Sequence, residues 1–306
     1  MQKTIATHSG IYHADDVFAV ATLRLLFPGS KVIRSREEEV YKEADFILDV
    51  GSKYEPSHCR FDHHQAGFHM ARENGIPYAT FGLVWKEFGE RLAGSEGAKI
   101  IDQKLVSPID ALDNGYPIDT PLIPGIKRYD VSDVFNAFMI RPDSSDEEMM
   151  KSFMLVVEIA QNLILKEIEN AELVIESRIE IGKSYRNAID KRIIVLPKFL
   201  PWKEILSEKR EPLYAIYPRP DGRWAVQGVP VKRHDFEVRH KFPVSWLGQS
   251  SAELTELTGV KDFIFCHPSG YIAVTKSYES ALTLANLALE ARVGEKIIKS
   301  KKTKIK

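Results

Sequence analysis

Near its amino end the chain sets short strand-type runs and a helical segment in alternation, and this restricts the fold more than any other feature. KTIAT is a β-type run, and ADDVFAVATLRLLF follows it with apolar residues at helical spacing until Pro28-Gly29. KVIRS and ADFILDVG are two more short apolar runs, the second stopping at Gly51, and CRF is a further one. Strands interleaved with helices predict the α/β class, a parallel sheet with helices on both faces. Ligands of such sheets bind beyond the carboxyl ends of the strands. His8, Asp49 and Asp62 all fall at such ends.

Residues 79–113 read as helical and close at Asn114-Gly115. Ser145 and Glu148 have capping-box spacing, and Phe153, Val157, Ala160, Ile164, Ile168, Ala171 and Ile175 keep a helical period after them. That spacing predicts one long helix to about residue 190. The second half changes character: RIIVLP, LYAIYP, RWAVQGV, DFIFCH and YIAVT are strand-like, and SALTLANLALEARVG is a closing helix. A chain of 306 residues exceeds what one core usually holds. We therefore expect a metal domain over 1–145, a linker helix over 146–190 and a smaller α+β domain over 191–306.

An apolar fraction of 44% excludes a disordered chain. No apolar run reaches the ~18 residues of a bilayer span, so no membrane partner is expected. MQKTIATHSG does not read as a signal peptide. Cys59 and Cys266 cannot build a disulfide framework and suit a reducing, cytoplasmic setting. Residues 1–190 hold 21 Lys and Arg against 31 Asp and Glu, whereas residues 191–306 hold 21 against 12. A metal-collecting half beside an anion-collecting half would show this tilt, although six of the later positives are the lysines of EKIIKSKKTKIK.

The run RFDHHQAGFHM places Asp62, His63 and His64 side by side. Adjacent loop histidines are ordinarily solvated, and one tripeptide does not make a site. Other segments supply companions: His8, His13 and Asp15 in THSGIYHADD, Asp49 in ILDVG, and Asp113 in DALDNG. Each alone has an ordinary reading as a turn, a helix start or a helix end. Together, four segments ending at strand or helix termini can converge on a metal site. Mixed imidazole and carboxylate sets suit Mn²⁺, Fe²⁺, Co²⁺ or Zn²⁺ better than Ca²⁺ or a bare Mg²⁺. Six or more such ligands with a bridging carboxylate would hold two metals roughly 3.5 to 4 Å apart.

HxxxxHxD, a later Asp at a strand end, DHH and a further Asp resemble the DHH phosphoesterase superfamily. They are closer still to its melanocyte-proliferating-gene (MYG-type) branch, a family of exonucleases. The resemblance runs over nearly the whole chain through LPWKEIL, VPVKRHDFEVRHKFPVSWLG and FCHPSGYIAVTKSYESALTLA. It implies a DHH-type parallel-sheet domain and two divalent ions, Mn²⁺ first, with Mg²⁺, Co²⁺ or Zn²⁺ as alternatives. His8, His13 and Asp49 would hold one ion, and Asp15, Asp49, His63 and Asp113 the other, with Asp49 shared. Asp62 would orient His63, and His64 would face the substrate phosphate, so the catalytic candidates are His64 and Asp62.

Two departures from the family stand out. Most DHH proteins carry an Asp where His13 falls, one residue nearer the first His. AVTK occupies 273–276, where the MYG-type branch has Gly-Gly-Asn-Lys, although Lys276 remains. In the second half Arg239, His267, Gly270 and Lys276 are the anion-binding candidates, Arg offering a planar fork and Lys a point charge. Trp202 and Trp246 could stack on a base, but burial in the core is the commoner fate of tryptophan.

The expectation is a dimetal phosphodiesterase, a 3'-5' exonuclease on RNA or short oligonucleotides, using a water activated by two metals. A hydrolase of small phosphoanhydrides or dinucleotides, and a non-catalytic regulator that binds metal or nucleotide, are the alternatives. A homodimer is left open.

Overall fold

The computed structural model describes residues 2–116, 118, 123–141, 143–232 and 237–302, with side chains as far as 291. Arg233, His234, Asp235 and Phe236 of the VPVKRHDFEVRHKFPVSWLG motif and the end of the lysine tail lie outside the described residues. The chain forms two units, residues 1–172 and 173–306.

In the first unit β1 (Thr4–Thr7), α1 (Ala14–Leu26), β2 (Lys31–Arg34), α2 (Glu38–Tyr41), β3 (Phe46–Leu48), β4 (Tyr54–Glu55) and β5 (Arg60–Phe61) follow one another. The sheet order is β2-β1-β3-β5-β4, parallel throughout except that β4 runs antiparallel to β5. Then come α3 (Thr80–Ile101), a π-helical turn over Asp102–Val106, α4 (Ser107–Asp113), α5 (Val131–Ala137) and α6 (Asp146–Asn187).

Alternation along the strands sorts side chains between faces. Ile5, Phe46 and Leu48 turn to the main core, where α1, α3, α4, α5 and the first part of α6 supply Phe18, Phe81, Ile109, Phe135 and Phe153. Phe18 and Phe81 stack with ring centroids 5.0 Å apart, both fully buried. Truncating Phe18 to Ala would cost about 3–5 kcal/mol. Ala6 and Ile47 turn to the opposite face and meet Tyr41 of α2 and Ala44. Both faces are covered, the second one thinly.

The helical stretch expected over 79–113 is not one cylinder. Gly94 kinks α3 with φ +67, and a π turn then joins α3 to α4, the Ser107 N–H bonding the Asp102 carbonyl. The capping box expected at Ser145 forms: Glu148 Oε2 accepts the Ser145 N–H at 2.9 Å, and Ser145 Oγ accepts the Glu148 N–H at 3.3 Å. The boundary between the units falls inside α6. Its Phe153, Val157, Ala160 and Ile164 belong to the first core, and its Ile181 belongs to a cluster of the second unit.

The second unit contains β6 (Ile193–Val195), α7 (Trp202–Ser207), β7 (Tyr214–Pro218), β8 (Trp224–Gly228), α8 (Ser251–Thr258), β9 (Phe263–Cys266), β10 (Ile272–Thr275) and α9 (Tyr278–Lys302). Its sheet runs β6-β7-β8-β10-β9, with β6 parallel to β7 and every other pair antiparallel. α8 and α9 bury Leu254, Ala281, Leu284 and Ala288 against one face. Trp202 and Trp246 are core residues at 1% and 5% exposure, not stacking platforms. Among the described residues no helix is long and apolar enough to cross a membrane.

Candidate metal centre

The carboxyl ends of β1, β3 and β5 lie side by side in the first sheet, and each strand is followed at once by a charged or imidazole side chain. His8 leaves β1, Asp49 leaves β3 and Asp62 leaves β5. The parallel pairing of β1 with β3 and of β3 with β5 sets these three in a row. Asp49 turns inward from a left-handed backbone, φ +53, its N–H held by the Phe61 carbonyl at 2.9 Å. α1 begins beside them because Asp16 Oδ1 accepts the His13 N–H at 2.8 Å, which seats Asp15 and Asp16 in the buried first turn. Asp113, the last residue of α4, reaches the same place, its Oδ2 beside His63.

Among the described residues three overlapping groups result, the ligand atoms in each lying within 4.8 Å of one another: His8, His13 and Asp49; Asp49, His63 and His64; and His13, Asp15 and Asp113. His8 Nε2 is 3.3 Å from Asp49 Oδ2, while His63 Nε2 is 3.5 Å from Asp49 Oδ1 and 3.2 Å from Asp113 Oδ2. Asp49 is common to two of these groups. So is His13.

Asp62 departs from its expected role. Its Oδ1 accepts the backbone N–H of His64 and lies 2.9 Å from His64 Nδ1, and its Oδ2 accepts the Ser52 N–H at 2.7 Å. The imidazole it holds is that of His64, not His63. A short carboxylate folds forward most easily onto the residue two places along, the usual aspartate turn.

The electrostatics show what the set lacks. Asp15 is fully buried, and neither carboxylate oxygen has a hydrogen-bond partner. Burial first, and then the charges of Asp49, Asp113 and Asp16, hold its carboxyl well above the usual range. Burial also pushes Asp16 up to about 7, opposed by His8 and reinforced by Asp49. Asp49 goes the other way: burial opposes its ionisation, but contacts from His63, His64 and His8 hold it well below the ordinary value. Burial would lower His63, yet Asp113 and Asp49 raise it to about 9. Asp49 and then Asp62 raise His64 to about 10. Buried carboxylates are ordinarily paired or bound to a metal, and Asp15 has no hydrogen-bond partner, so this donor set fits a divalent cation.

Some neighbours escaped notice in the sequence. Thr80 Oγ1 donates to Asp49 Oδ1 at 3.0 Å. Arg36 Nη2 and the Ser9 carbonyl lie 3.2 and 3.1 Å from His8 Nδ1. If Nδ1–H donates to Ser9, the His8 lone pair sits on Nε2, on the Asp49 side. Asp16 Oδ2 lies 3.4 Å from His8 Nε2. A cavity of about 500 Å³ opens over His8, His13, Asp49 and His64, with Arg36 on its wall. A second, of about 340 Å³, lies beyond His13 and is lined by Asp15, Asp113, Lys127 and Asn136.

The second-unit candidates do not gather. The Arg239 guanidinium donates to the carbonyls of Ser207, Lys209, Arg210 and Pro212, so its fork is engaged in holding the stretch after α7. Lys276 follows β10 at one end of the β9–β10 hairpin, and His267 and Gly270 form the turn at the other. Gly270 has φ +71, and a Cβ there would stand 3.1 Å from Leu247 Cδ2, so a side chain would be strained by the backbone and crowded against Leu247.

The family model MYG1_exonuc, an uncharacterised protein family (UPF0160), matches residues 4–289. The MYG1 protein C694.04c of Schizosaccharomyces pombe is 32% identical over 319 residues, covering 94% of this chain and 97% of its own. The MYG1 exonuclease of Homo sapiens is 28% identical over 326 residues, covering 94% and 86%. A solved structure of RecJ from Thermus thermophilus in complex with Mn²⁺ aligns with 96% of this chain and 52% of its own at 14% identity. Its TM-score of 0.28 is too low to carry an argument. A model match over nearly the whole length settles kinship: this chain belongs to the MYG1_exonuc family.

Proposed function

We propose that this chain is a metal-dependent nuclease that removes nucleotides from the end of RNA or short oligonucleotides by phosphodiester hydrolysis. The observation that carries the reading is Asp15, fully buried and unpartnered among His8, His13, Asp49, His63 and Asp113. The mouse and human relatives are named MYG1 exonuclease, which supports the reaction class. His8, His13 and Asp49 would hold one divalent ion, and Asp15, Asp49, His63 and Asp113 a second. Mn²⁺ is the first choice, with Mg²⁺, Co²⁺ and Zn²⁺ as alternatives. When bound, such ions neutralise phosphoryl oxygens and lower the pKa of water.

The protein's own groups do the rest. His64, with 60% of its side chain exposed and Nδ1 engaged by Asp62 and Asp49, offers Nε2–H to a phosphate oxygen. Thr80 fixes one Asp49 oxygen, and the rigid strand ends keep the donors in register.

The test is hydrolysis of 5′-labelled RNA oligomers of several lengths with Mn²⁺, against Asp49→Ala and His63→Ala proteins. A ladder of shortening products, lost in both variants, supports the reading and gives the polarity, for which 3'-5' is expected. Turnover of dinucleotides or pyrophosphate without RNA products would move the assignment to a small-substrate hydrolase. Binding without turnover across the panel would leave a regulator.

A further inference from the structure

One face of the second sheet is only half covered. Over β6, β7 and β8 that face is sealed: Ile194, Ala215, Tyr217 and Ala225 are buried in a cluster with Trp202 and Leu206 of α7. Over β9, beyond the buried Val274 of β10, it opens. Phe265, paired with Val274, exposes 41% of its surface. Ile264, Phe265, Ile272 and Val274 line a cavity of about 280 Å³ there.

The ends of this open strip carry different chemistry. At one end stand Arg219 and Arg223, paired across the β7–β8 turn by an Arg219 N–H to Arg223 carbonyl bond of 2.7 Å. Their side chains approach the one carboxylate of Asp221 through Nε, at 3.5 and 4.0 Å, while its Oδ1 accepts the Arg223 backbone N–H at 3.1 Å; 38% and 52% of the two side chains are exposed. Two guanidiniums against one carboxylate leave a net positive charge, and such long exposed pairs hold their partners weakly. At the other end the rings of His267 and Tyr271 lie 4.5 Å apart, and Phe265 meets His267 edge-on at 6.0 Å. His267 Nδ1 is taken by the Ser269 N–H, which leaves Nε2 outward of that bond. Four strand residues separate the two ends, about 13 Å, room for more than one nucleotide.

We propose that this open face binds single-stranded nucleic acid, with bases stacked on Phe265 and on the His267–Tyr271 pair and phosphates taken by Arg219 and Arg223. The choice of ligand rests on the nuclease reading above. Exposed rings on a sheet with flanking arginines suit bases of any sequence, because every base has a flat face and every linkage a charge. An acidic peptide would satisfy the arginines but leave the ring faces without a flat partner.

The experiment is fluorescence anisotropy of a labelled oligouridylate of about a dozen nucleotides in EDTA, so that nothing is cleaved. Wild type is compared with Phe265→Leu, Phe265→Tyr and the double variant Arg219→Ala/Arg223→Ala, each checked for an unchanged melting temperature. Phe265→Leu is expected to weaken binding about tenfold, with Phe265→Tyr close to wild type, because leucine keeps the apolar bulk and loses the flat face. The double variant is expected to bind more weakly with a shallower salt dependence. Binding by both variants at the wild-type level, or no RNA binding by the wild type, would overturn the proposal. Tighter binding of a labelled polyglutamate in place of the RNA would also overturn it, in favour of an acidic peptide. Cleavage of the same RNA with Mn²⁺ is measured separately. Variant-sensitive binding without cleavage upholds this face and removes the nuclease reading; cleavage with variant-insensitive binding does the reverse.

Discussion

His64 Nδ1 and Asp62 Oδ1 lie 2.9 Å apart, and the same oxygen accepts the His64 backbone N–H at 2.9 Å. One carboxylate therefore fixes both the ring and the chain that carries it. Asp62→Asn should cut kcat/KM about 10- to 100-fold with KM moving less, because the ring is displaced and not removed. In EDTA the His64 titration, followed by NMR of its ring proton, should fall from about 10 toward the ordinary value, since Asp62 is the second of its two anionic partners. An unmoved midpoint would detach Asp62 from His64.

Asp15, buried and unpartnered, makes metal a folding ligand as well as a reagent. Tm of the EDTA-treated protein should rise with added Mn²⁺, by the equivalent of about 2.7 kcal/mol at a hundred times Kd. Asp15→Ala should reduce that rise, because it removes a ligand of the second ion and leaves His8, His13 and Asp49 for the first. Thermal scans across a metal series read both.

Metal binding should release protons. His63 titrates at about 9 among the protein groups alone, and a metal takes the unprotonated ring. Apparent Mn²⁺ affinity should therefore climb with pH up to about 9, and calorimetry at pH 7 in buffers of different ionisation enthalpy should register the release. The sign for folding is the opposite. A raised imidazole pKa stabilises the metal-free fold fully below 6.5, and this is lost as pH rises through about 9. Melts in EDTA across that window check it.

Arg239, tied to the carbonyls of Ser207, Lys209, Arg210 and Pro212, should matter to stability and little to turnover. Arg239→Ala is expected to cost about 1–3 kcal/mol. KM for RNA should stay within twofold at temperatures where the variant is folded. A large rise in KM with unchanged stability would restore it as a phosphate ligand.

Asp49 sits at φ +53, where a side chain is strained. Asp49→Gly should be about 1 kcal/mol more stable than Asp49→Ala, and both should be inactive. Equal stabilities would mean that the strand end relaxes.

Much of this was legible in the sequence, for identifiable reasons. KTIAT, KVIRS and ADFILDVG became β1, β2 and β3 because short apolar runs between helices have few other fates. His8, Asp49 and Asp62 could be placed at strand ends by position alone. Thr80 and Arg36 could not, since contacts to Asp49 and His8 arise only when separate segments meet. The pairing of Asp62 with His64 turned on one local backbone geometry that three adjacent letters do not encode. In the second half a basic residue type suggested phosphate for Arg239, but nothing in a sequence shows that four carbonyls already surround it.

The π turn over Asp102–Val106 sets the rotational phase of Asp113. A π turn is equivalent to one residue inserted into an α-helix, and each helical residue swings the next by about 100°. Losing a single residue between 102 and 106 would let the helix close into a regular spiral with Asp113 near its present face, because the wide turn takes up one extra residue, whereas a further inserted residue would carry Asp113 round the cylinder, away from His63. Conservative substitutions there would be tolerated. The segment is guarded by its length more than by its letters.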